Sequence, residues 1–357
     1  MKLRKLFLKK ISQNFFYSLF VLFGVITIIF FLFHIMPSDP AKMMLGNRDN
    51  EKQLEEINKK YHFDKPLIKQ YLFYINDLSP LSIHNFSDAV SYPNSFCLYS
   101  DSKTSFLIKL PYLRTSFYQK NVLVTKLIST SFFNTIILSF LAISLALLFA
   151  IPLGVLCAKY KDTFLDKFIS SVSILGMSLP SFLIAIIFAY FFAYHLAWLT
   201  GLNITGSLYE INDLGERKLQ LKNIILPSLT LGIRPMAVII NLVRNSLIDE
   251  LSSNYVLLAR SKGFSYLYVI IVHALRNSLT SVVTTASGWF AGMLSGAVFV
   301  EYIFGWNGLG KLLVDALVNV DFPLVMGVIL VISTCFIIIN ILVDLIYIWL
   351  DPRVKIV

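Results

Sequence analysis

Six long apolar runs constrain this chain more than any other feature of its sequence, and they lie at 15–36, 132–157, 168–196, 223–243, 282–300 and 323–350. A helix rises about 1.5 Å per residue, so roughly 20 apolar residues cross a hydrocarbon core about 30 Å thick. The composition agrees, with 56% hydrophobic and only 15% charged residues. The sequence therefore predicts an all-α membrane protein of about six transmembrane helices in a lipid bilayer.

The first run could be a secretory signal peptide, because a basic segment precedes it. Two observations argue against that interpretation. The apolar run is too long, and Pro37-Ser38-Asp39-Pro40 follows it where a small-residue cleavage site would stand. We expect a retained transmembrane helix.

The formal net charge of +10 has two explanations: nucleic-acid binding, or an unequal distribution of basic residues between the two sides of a membrane. The basic residues lie mainly between the apolar runs, which favours asymmetry, and no nucleic-acid partner is predicted. Placing both termini in the cytoplasm puts most Lys and Arg of the short loops inside. The inside residues are Lys2, Arg4, Lys5, Lys9, Lys10, Lys159, Lys161, Lys167, Arg244, Arg260, Lys262, Arg276, Arg353 and Lys355, against Arg217, Lys218, Lys222 and Lys311 outside.

The chain divides into three predicted segments. Residues 1–36 form an N-terminal cytoplasmic segment and helix 1, 37–131 an extracytoplasmic insertion, and 132–357 a five-helix core with a cytoplasmic loop at about 250–278. Within the insertion we expect an amphipathic helix over 51–60. The Ser-, Pro- and Asn-rich stretch 79–109 is predicted to be surface loop.

Catalytic, cofactor and metal chemistry are not predicted. The segment Gly305-Trp306-Asn307-Gly308-Leu309-Gly310-Lys311 nearly spells a P-loop, but Leu312 stands where Ser or Thr would hold Mg²⁺ and no strand precedes it. Cys97, Cys157, Cys335 and the five histidines form no ligand cluster. The chain is therefore not expected to hydrolyse ATP itself.

Ionisable residues near the spans are candidate pathway or structural residues. Arg234, beside Pro227 and Pro235 in the broken fourth run, could meet a substrate carboxylate or pair with a neighbouring helix. Glu301 is expected to hold the Gly-rich loop, and Asp344 to pair or cap structurally.

Three glycines in the fifth run, Gly288, Gly292 and Gly296, share one helix face. Such a face permits close packing within the bundle or with a second subunit, and it could alternatively leave room for a translocation path.

The cytoplasmic segment 254–277 holds two short helical stretches around Gly263. It fits either a compact projecting knob or an ordinary amphipathic interfacial loop, and periodicity does not separate them. Its residues, however, resemble the coupling motif of ABC importer permeases, Glu-Ala-Ala, three residues and Gly. Ala259 and Gly263 match, whereas Leu257 and Leu258 depart from the Glu and the first Ala.

The version in the dipeptide, oligopeptide and nickel importer branch fits better. It is matched by Tyr255-Val256, Ala259-Arg260-Ser261-Lys262-Gly263 and His273-Ala274-Leu275-Arg276-Asn277. Similar segments run through nearly the whole chain, among them Pro37-Ser38-Asp39-Pro40-Ala41, Ser178-Leu179-Pro180, Leu226-Pro227-Ser228, Phe304-Gly305-Trp306 and Asp351-Pro352-Arg353. The stretch 80–115 is longer than in the common form.

The resemblance implies the type I ABC importer permease fold in a bacterial inner membrane. It also implies three kinds of partner: cytoplasmic ATPase subunits, a second related permease and an external substrate-binding protein. Tyr255, Ala259 and Phe264 would make apolar contacts with an ATPase, Arg260 and Lys262 would lie at the rim, and Gly263 would permit the turn. Peptides are the leading substrate, with nickel behind. A gradient-driven transporter or channel, and a membrane scaffold, are the competing functions.

Overall fold

The computed structural model describes residues 2–35, 54–55, 58–59, 62–85, 96–100, 104–119, 122–211 and 215–350. The helix predicted over 51–60 lies largely outside these residues. The first half of the described chain contains, in order, α1 (Lys2–Ile35), α2 (Leu67–Leu78), β1 (Leu81–Asn85), β2 (Phe96–Ser100), β3 (Thr104–Ile108), α3 (Val124–Lys159), α4 (Phe164–Ser178) and α5 (Ser181–Phe188).

A π-helical stretch, Ala189–His195, continues α5. The second half contains α6 (Ala197–Thr200), β4 (Tyr209–Ile211), β5 (Arg217–Leu219), α7 (Lys222–Leu251), α8 (Asn254–Ser261), α9 (Tyr266–Tyr268), the π-helical Val269–Ala274, α10 (Leu275–Gly296), α11 (Val298–Ile303), α12 (Leu309–Val318) and α13 (Phe322–Leu350).

The prediction of about six membrane spans is confirmed. Five described helices are long and apolar enough to cross a membrane: Phe16–Phe33, Val124–Lys159, Lys222–Leu251, Tyr266–Leu294 and Phe322–Val343. The sixth is the pair α4 and α5 with its π-helical extension, bent by 107° at Leu179 and Pro180. Proline lacks the amide proton that a continuous helix needs, which explains the break. The fifth span begins at Tyr266, earlier than the expected 282, because 266–281 continues the same helix.

The described residues form two compact units. The first comprises 1–18, 131–311 and 332–357, and its core lies where α3 and α7 cross. Their backbones approach closely at glycines: a Cβ on Gly232 would lie 2.8 Å from the carbonyl oxygen of Ala142, and one on Gly154 would lie 2.6 Å from the Cβ of Val243. Side chains at these two positions would force the helices apart.

The second unit comprises 19–130 and 312–331. Here α2 packs on α1, with Phe30 against Tyr71 and Tyr74 at ring-centroid distances of 5.2 and 5.6 Å. A buried ion pair joins Arg114 to Asp77 at 3.0 Å.

A three-stranded antiparallel sheet of order β1-β3-β2 follows α2. The prediction of surface loop over 79–109 was therefore wrong for the residues of these three strands. Apolar and polar residues alternate in 81–84, and buried and exposed residues alternate in 105–108, which is the period of two that a strand requires. Because β1 and β3 are distant in sequence, their pairing is apparent only in the folded structure.

Candidate functional site

A short exposed helix connects two spans at the predicted cytoplasmic end. The span helix α7 ends at Leu251, Ser253 is extended, and α8 begins at Asn254. After α8 the chain turns at Gly263, and α9 leads without interruption into the fifth span. We call the segment from Asn254 to Tyr268 the connecting knob.

Gly263 makes the turn between α8 and α9. Its φ is +88°, in the left-handed region that side chains disfavour, and its amide donates to the carbonyl of Arg260 at 3.0 Å. A Cβ there would meet no described atom within 4 Å, so the requirement for glycine is one of backbone conformation rather than of space.

A side-chain cluster braces the connecting knob against both neighbouring spans. The Tyr255 hydroxyl donates to the Glu250 carboxylate at the end of α7. Asn277, at the start of α10, donates its amide to the Tyr255 hydroxyl at 3.0 Å and to Glu250 at 3.4 Å. Burial, and next the hydrogen bond to Glu250, raise the pKa of the Tyr255 phenol. The three side chains therefore connect α8 to both α7 and α10.

The outer face of the knob is apolar with a basic rim. Leu257, Leu258 and Phe264 are 55%, 57% and 46% exposed. The Arg260 guanidinium lies over the Tyr266 ring at 5.3 Å, and Lys262 is exposed. Exposed apolar residues on a projecting helix are typical of a partner contact.

The inner face of α8 packs on the chain itself. Val256 and Ala259 are buried there. Of the apolar residues expected to touch a partner, Tyr255 and Phe264 are thus on the surface of this chain, and Ala259 is beneath it.

Glu301 lies at the centre of a second buried cluster, around the Gly-rich loop. Its carboxylate accepts hydrogen bonds from the Thr135 hydroxyl at 2.7 Å and from the Gly310 and Lys311 amides at 2.6 and 3.3 Å. A Cβ on Gly308 would lie 2.3 Å from this carboxylate. The carboxylate thus occupies the N-terminal end of α12, where a P-loop would hold phosphate.

The remaining predicted site residues are dispersed. Arg234 is exposed on α7, with its guanidinium carbon 6.0 Å from the centre of the Trp289 ring. A Cβ on Gly288 or Gly292 would meet no described atom of this chain within 4 Å beyond its own helix backbone. The surroundings of Gly296 and the side chain of Asp344 lie outside the described residues.

An apolar cavity of about 400 Å³ lies beside the bent span. Its walls come from α3, α4, α5 and α7, and include Phe168, Val172, Ile187, Ile233 and Met236. Among the described residues no group of three or more His, Cys, Asp or Glu side chains could hold a metal ion.

The sequence did not identify Glu250 and Asn277 as hydrogen-bond partners of Tyr255, or Asp166 as the partner of Arg244. Glu250 and Asn277 are 27 residues apart, and Asp166 and Arg244 are 78 apart. Two signals were available: Glu250 lies five residues before Tyr255 at the end of a span, and Asn277 closes a segment that resembles the importer branch.

Two family models match the chain. The one described as "Binding-protein-dependent transport system inner membrane component" matches residues 150–356. The one described as the N-terminal part of such membrane components matches residues 7–139.

Curated relatives match over nearly the full length. A probable D,D-dipeptide transport system permease protein of Escherichia coli (strain K12) is 30% identical, with 94% of each chain covered. A glutathione transport system permease protein of Pectobacterium atrosepticum is 29% identical, over 93% of this chain and 94% of that one.

The fold is similar to that of a solved transporter. The inward-facing MetNI methionine ABC transporter aligns with a TM-score of 0.53 at 14% identity, covering 64% of this chain and 97% of that one. The expected type I importer-like fold is confirmed.

Proposed function

Because this chain belongs to the family of binding-protein-dependent transport system inner membrane components, we propose that it forms half of a peptide pathway and is driven by a separate ATPase through its connecting knob. It is a multi-pass inner-membrane permease subunit, and ATP is hydrolysed by another subunit of such systems. An external binding protein delivers the substrate, and a second, related permease completes the pathway.

The coupling proposal rests on one observation: α8 has one buried face and one exposed apolar face. One face is packed into the chain through Val256, and the other exposes Leu257 and Leu258. A partner that moved the outer face would move α7 and α10 as well, because Tyr255 is hydrogen-bonded to side chains of both helices. An ATPase can shift the permease only by the difference in its affinity for the two permease states.

Peptides as substrate are supported by the relatives, which are named for dipeptide and glutathione transport. The described residues that line the apolar cavity could accommodate apolar side chains of a peptide, but they offer no ligands for nickel.

Site-specific photo-crosslinking tests the coupling proposal. A photoreactive amino acid is placed at Leu258, which is 57% exposed on α8, and in a matched variant at Leu221, which is 62% exposed at the opposite end of α7. We expect an adduct with a Walker-motif ATPase from position 258 and none from 221. If the assembled complex gave no ATPase adduct at 258, the knob would not be the ATPase contact.

Uptake by the purified complex in vesicles tests the substrate. Radiolabelled dipeptides and tripeptides should accumulate only when ATP and the binding protein are both present. Accumulation driven by an ion gradient without ATP would identify a secondary transporter and overturn the proposal.

A further inference from the structure

One face of the sheet β1-β3-β2 is formed by large apolar side chains that are exposed on the described part of the chain. Residues directly opposite in an antiparallel pair lie on the same face. The register places Leu81 opposite Ile108 and Ile83 opposite Phe106, and it pairs the same two β3 residues with β2. The six residues of this apolar face are Leu81, Ile83, Phe96, Tyr99, Phe106 and Ile108, each at least 43% exposed.

The opposite face of the sheet is turned toward the protein. Ser82, Ser105 and Leu107 on that face are 2%, 1% and 3% exposed. The sheet is therefore anchored by one side and presents the apolar face outward. A contiguous patch of this kind on a protein surface indicates an interaction site.

The depth of α2 in the membrane indicates what surrounds the apolar face of the sheet. The Tyr71 hydroxyl on α2 is hydrogen-bonded to the Thr27 hydroxyl on α1 at 2.6 Å. The first span ends at Phe33. Thr27 precedes Phe33 by six residues, which places it about 9 Å below the end of the span. The helix α2 therefore runs alongside α1 at the depth of the outer hydrocarbon.

The exposed stripe of α2 agrees with that depth. Ile68 and Leu72, one helical turn apart, are 70% and 59% exposed and point away from the protein. Lys69 between them is exposed and long enough to reach the headgroups. Such a stripe on a helix at this depth faces lipid tails.

The sheet is tied to the end of α2. Only Ser79 and Pro80 separate α2 from β1, so the Cα atoms of Leu78 and Leu81 are about 11 Å apart at most. The Asn76 side chain donates to the carbonyl of Ile83 at 2.7 Å and accepts from its amide at 3.0 Å. The sheet is consequently held at the level of the membrane surface.

We propose that the apolar face of the sheet is embedded in the lipid of the leaflet at the outer end of α1. The insertion is then a membrane-lying element rather than a water-exposed docking surface for a soluble protein. Aromatic residues such as Phe96, Tyr99 and Phe106 favour the interface between headgroups and acyl chains. A binding protein that docks and departs would leave six uncharged apolar side chains in water in each cycle. The inference does not depend on the substrate or on ATPase coupling.

The native Cys97 provides a matched control. It is exposed on β2 and pairs with Leu107, which places it on the face opposite Phe106. One variant carries Cys157→Ser and Cys335→Ser and retains Cys97. Two further variants add Cys97→Ser together with either Ile83→Cys or Phe106→Cys. Each single thiol is labelled with bimane in the whole importer complex and reconstituted in nanodiscs that contain phosphatidylcholine with a nitroxide on the acyl chain near the glycerol.

We expect the nitroxide lipid to remove most of the fluorescence of the labels at positions 83 and 106 and little of that at Cys97, while aqueous iodide does the reverse. Two labelled positions guard against misfolding of one variant. If iodide quenched both apolar-face labels and the nitroxide lipid did not, the proposal would be overturned. Shielding from both quenchers, present only with the second permease or only with the binding protein, would assign the face to that protein and would also overturn it.

Discussion

The guanidinium of Arg244 donates two hydrogen bonds of 2.6 Å to the two carboxylate oxygens of Asp166. The pair joins the inner part of α7 to the first turn of α4, and Asp166 is only 2% exposed. Arg244 lies ten residues before α8, so the ion pair fixes the helix that leads into the connecting knob. A bidentate pair of this kind constrains orientation as well as distance.

Loss of Asp166 should destabilise the protein. Asp166→Ala leaves the Arg244 guanidinium without its charge partner, and we expect a cost of about 3 kcal/mol. Thermal unfolding in detergent is the measurement, with Asp249→Ala, an exposed carboxylate on α7, as the control. The double variant with Arg244→Ala should cost less than the sum of the two single changes. Strict additivity would show that the two side chains do not stabilise each other.

Gly263→Asp should uncouple transport without preventing insertion. Asp in place of a glycine at φ +88° distorts the turn and adds a charge to the face proposed to meet the ATPase. We expect peptide uptake to fall by about tenfold, within the range of ordinary coupling free energies, while ATP hydrolysis persists.

The matched control is Gly215→Asp, at φ +79° in the loop between β4 and β5, which also has no described atom within 4 Å of a Cβ. Its backbone strain is similar, but it is far from the knob in the predicted topology. Equal uptake by the two variants at equal membrane abundance would contradict the assignment.

Gly308→Ala should be costly because of Glu301. The added Cβ would lie 2.3 Å from the carboxylate, so the cluster that holds α12 must shift at a cost of about 1–3 kcal/mol. Gly288→Ala is the comparison, since a Cβ there meets no described atom within 4 Å. Melting temperatures of the isolated subunit should fall for the first variant only; a similar fall for both would mean that the Glu301 cluster is not the cause.

Lys109 should make stability depend on pH. Burial lowers the pKa of its amine from 10.5 to about 8. Below about pH 8 the amine is charged in both folded and unfolded states, whereas from about pH 8 to 10.5 the folded state loses its proton first. The free energy of unfolding should therefore rise over this window, by up to about 3 kcal/mol.

Lys109→Met isolates that contribution. The variant cannot release the proton, so the stability of wild type relative to Lys109→Met should increase between about pH 7.5 and about pH 9.5. Melting curves at both values give the difference, and a gap that stays constant would show that Lys109 does not titrate in this window.

The sequence predicted the number of spans because local composition sets each long apolar run. The fourth run was expected to be broken at Pro227 and Pro235, but α7 continues through both prolines from Lys222 to Leu251. Phe16–Phe33 and the span from Phe322 need only a long apolar run, and the break at Pro180 follows from the chemistry of proline. The turn at Gly263 was also predictable, since glycine is the residue that adopts φ +88° with least strain.

Contacts between distant residues could not be read from the sequence. Thr135 and Glu301 are 166 residues apart, and nothing near either one identifies the other. The strands β1 and β3 were missed for the same reason, because Ser, Pro and Asn nearby indicate a loop unless the pairing partner is known. The buried position of Ala259 depends on the direction of α8, which periodicity over eight residues does not fix.

The bend between α4 and α5 also limits what can surround this part of the chain. The 15 residues of α4 extend about 22 Å, less than a hydrocarbon core of about 30 Å, so the chain turns by 107° while still inside the bilayer. Leu179 and Pro180 at the turn are exposed on this chain. Interrupted backbone cannot face hydrocarbon without losing hydrogen bonds, and it must be covered by protein or by water. Another protein subunit or a water-filled pathway must therefore cover the turn at Leu179 and Pro180.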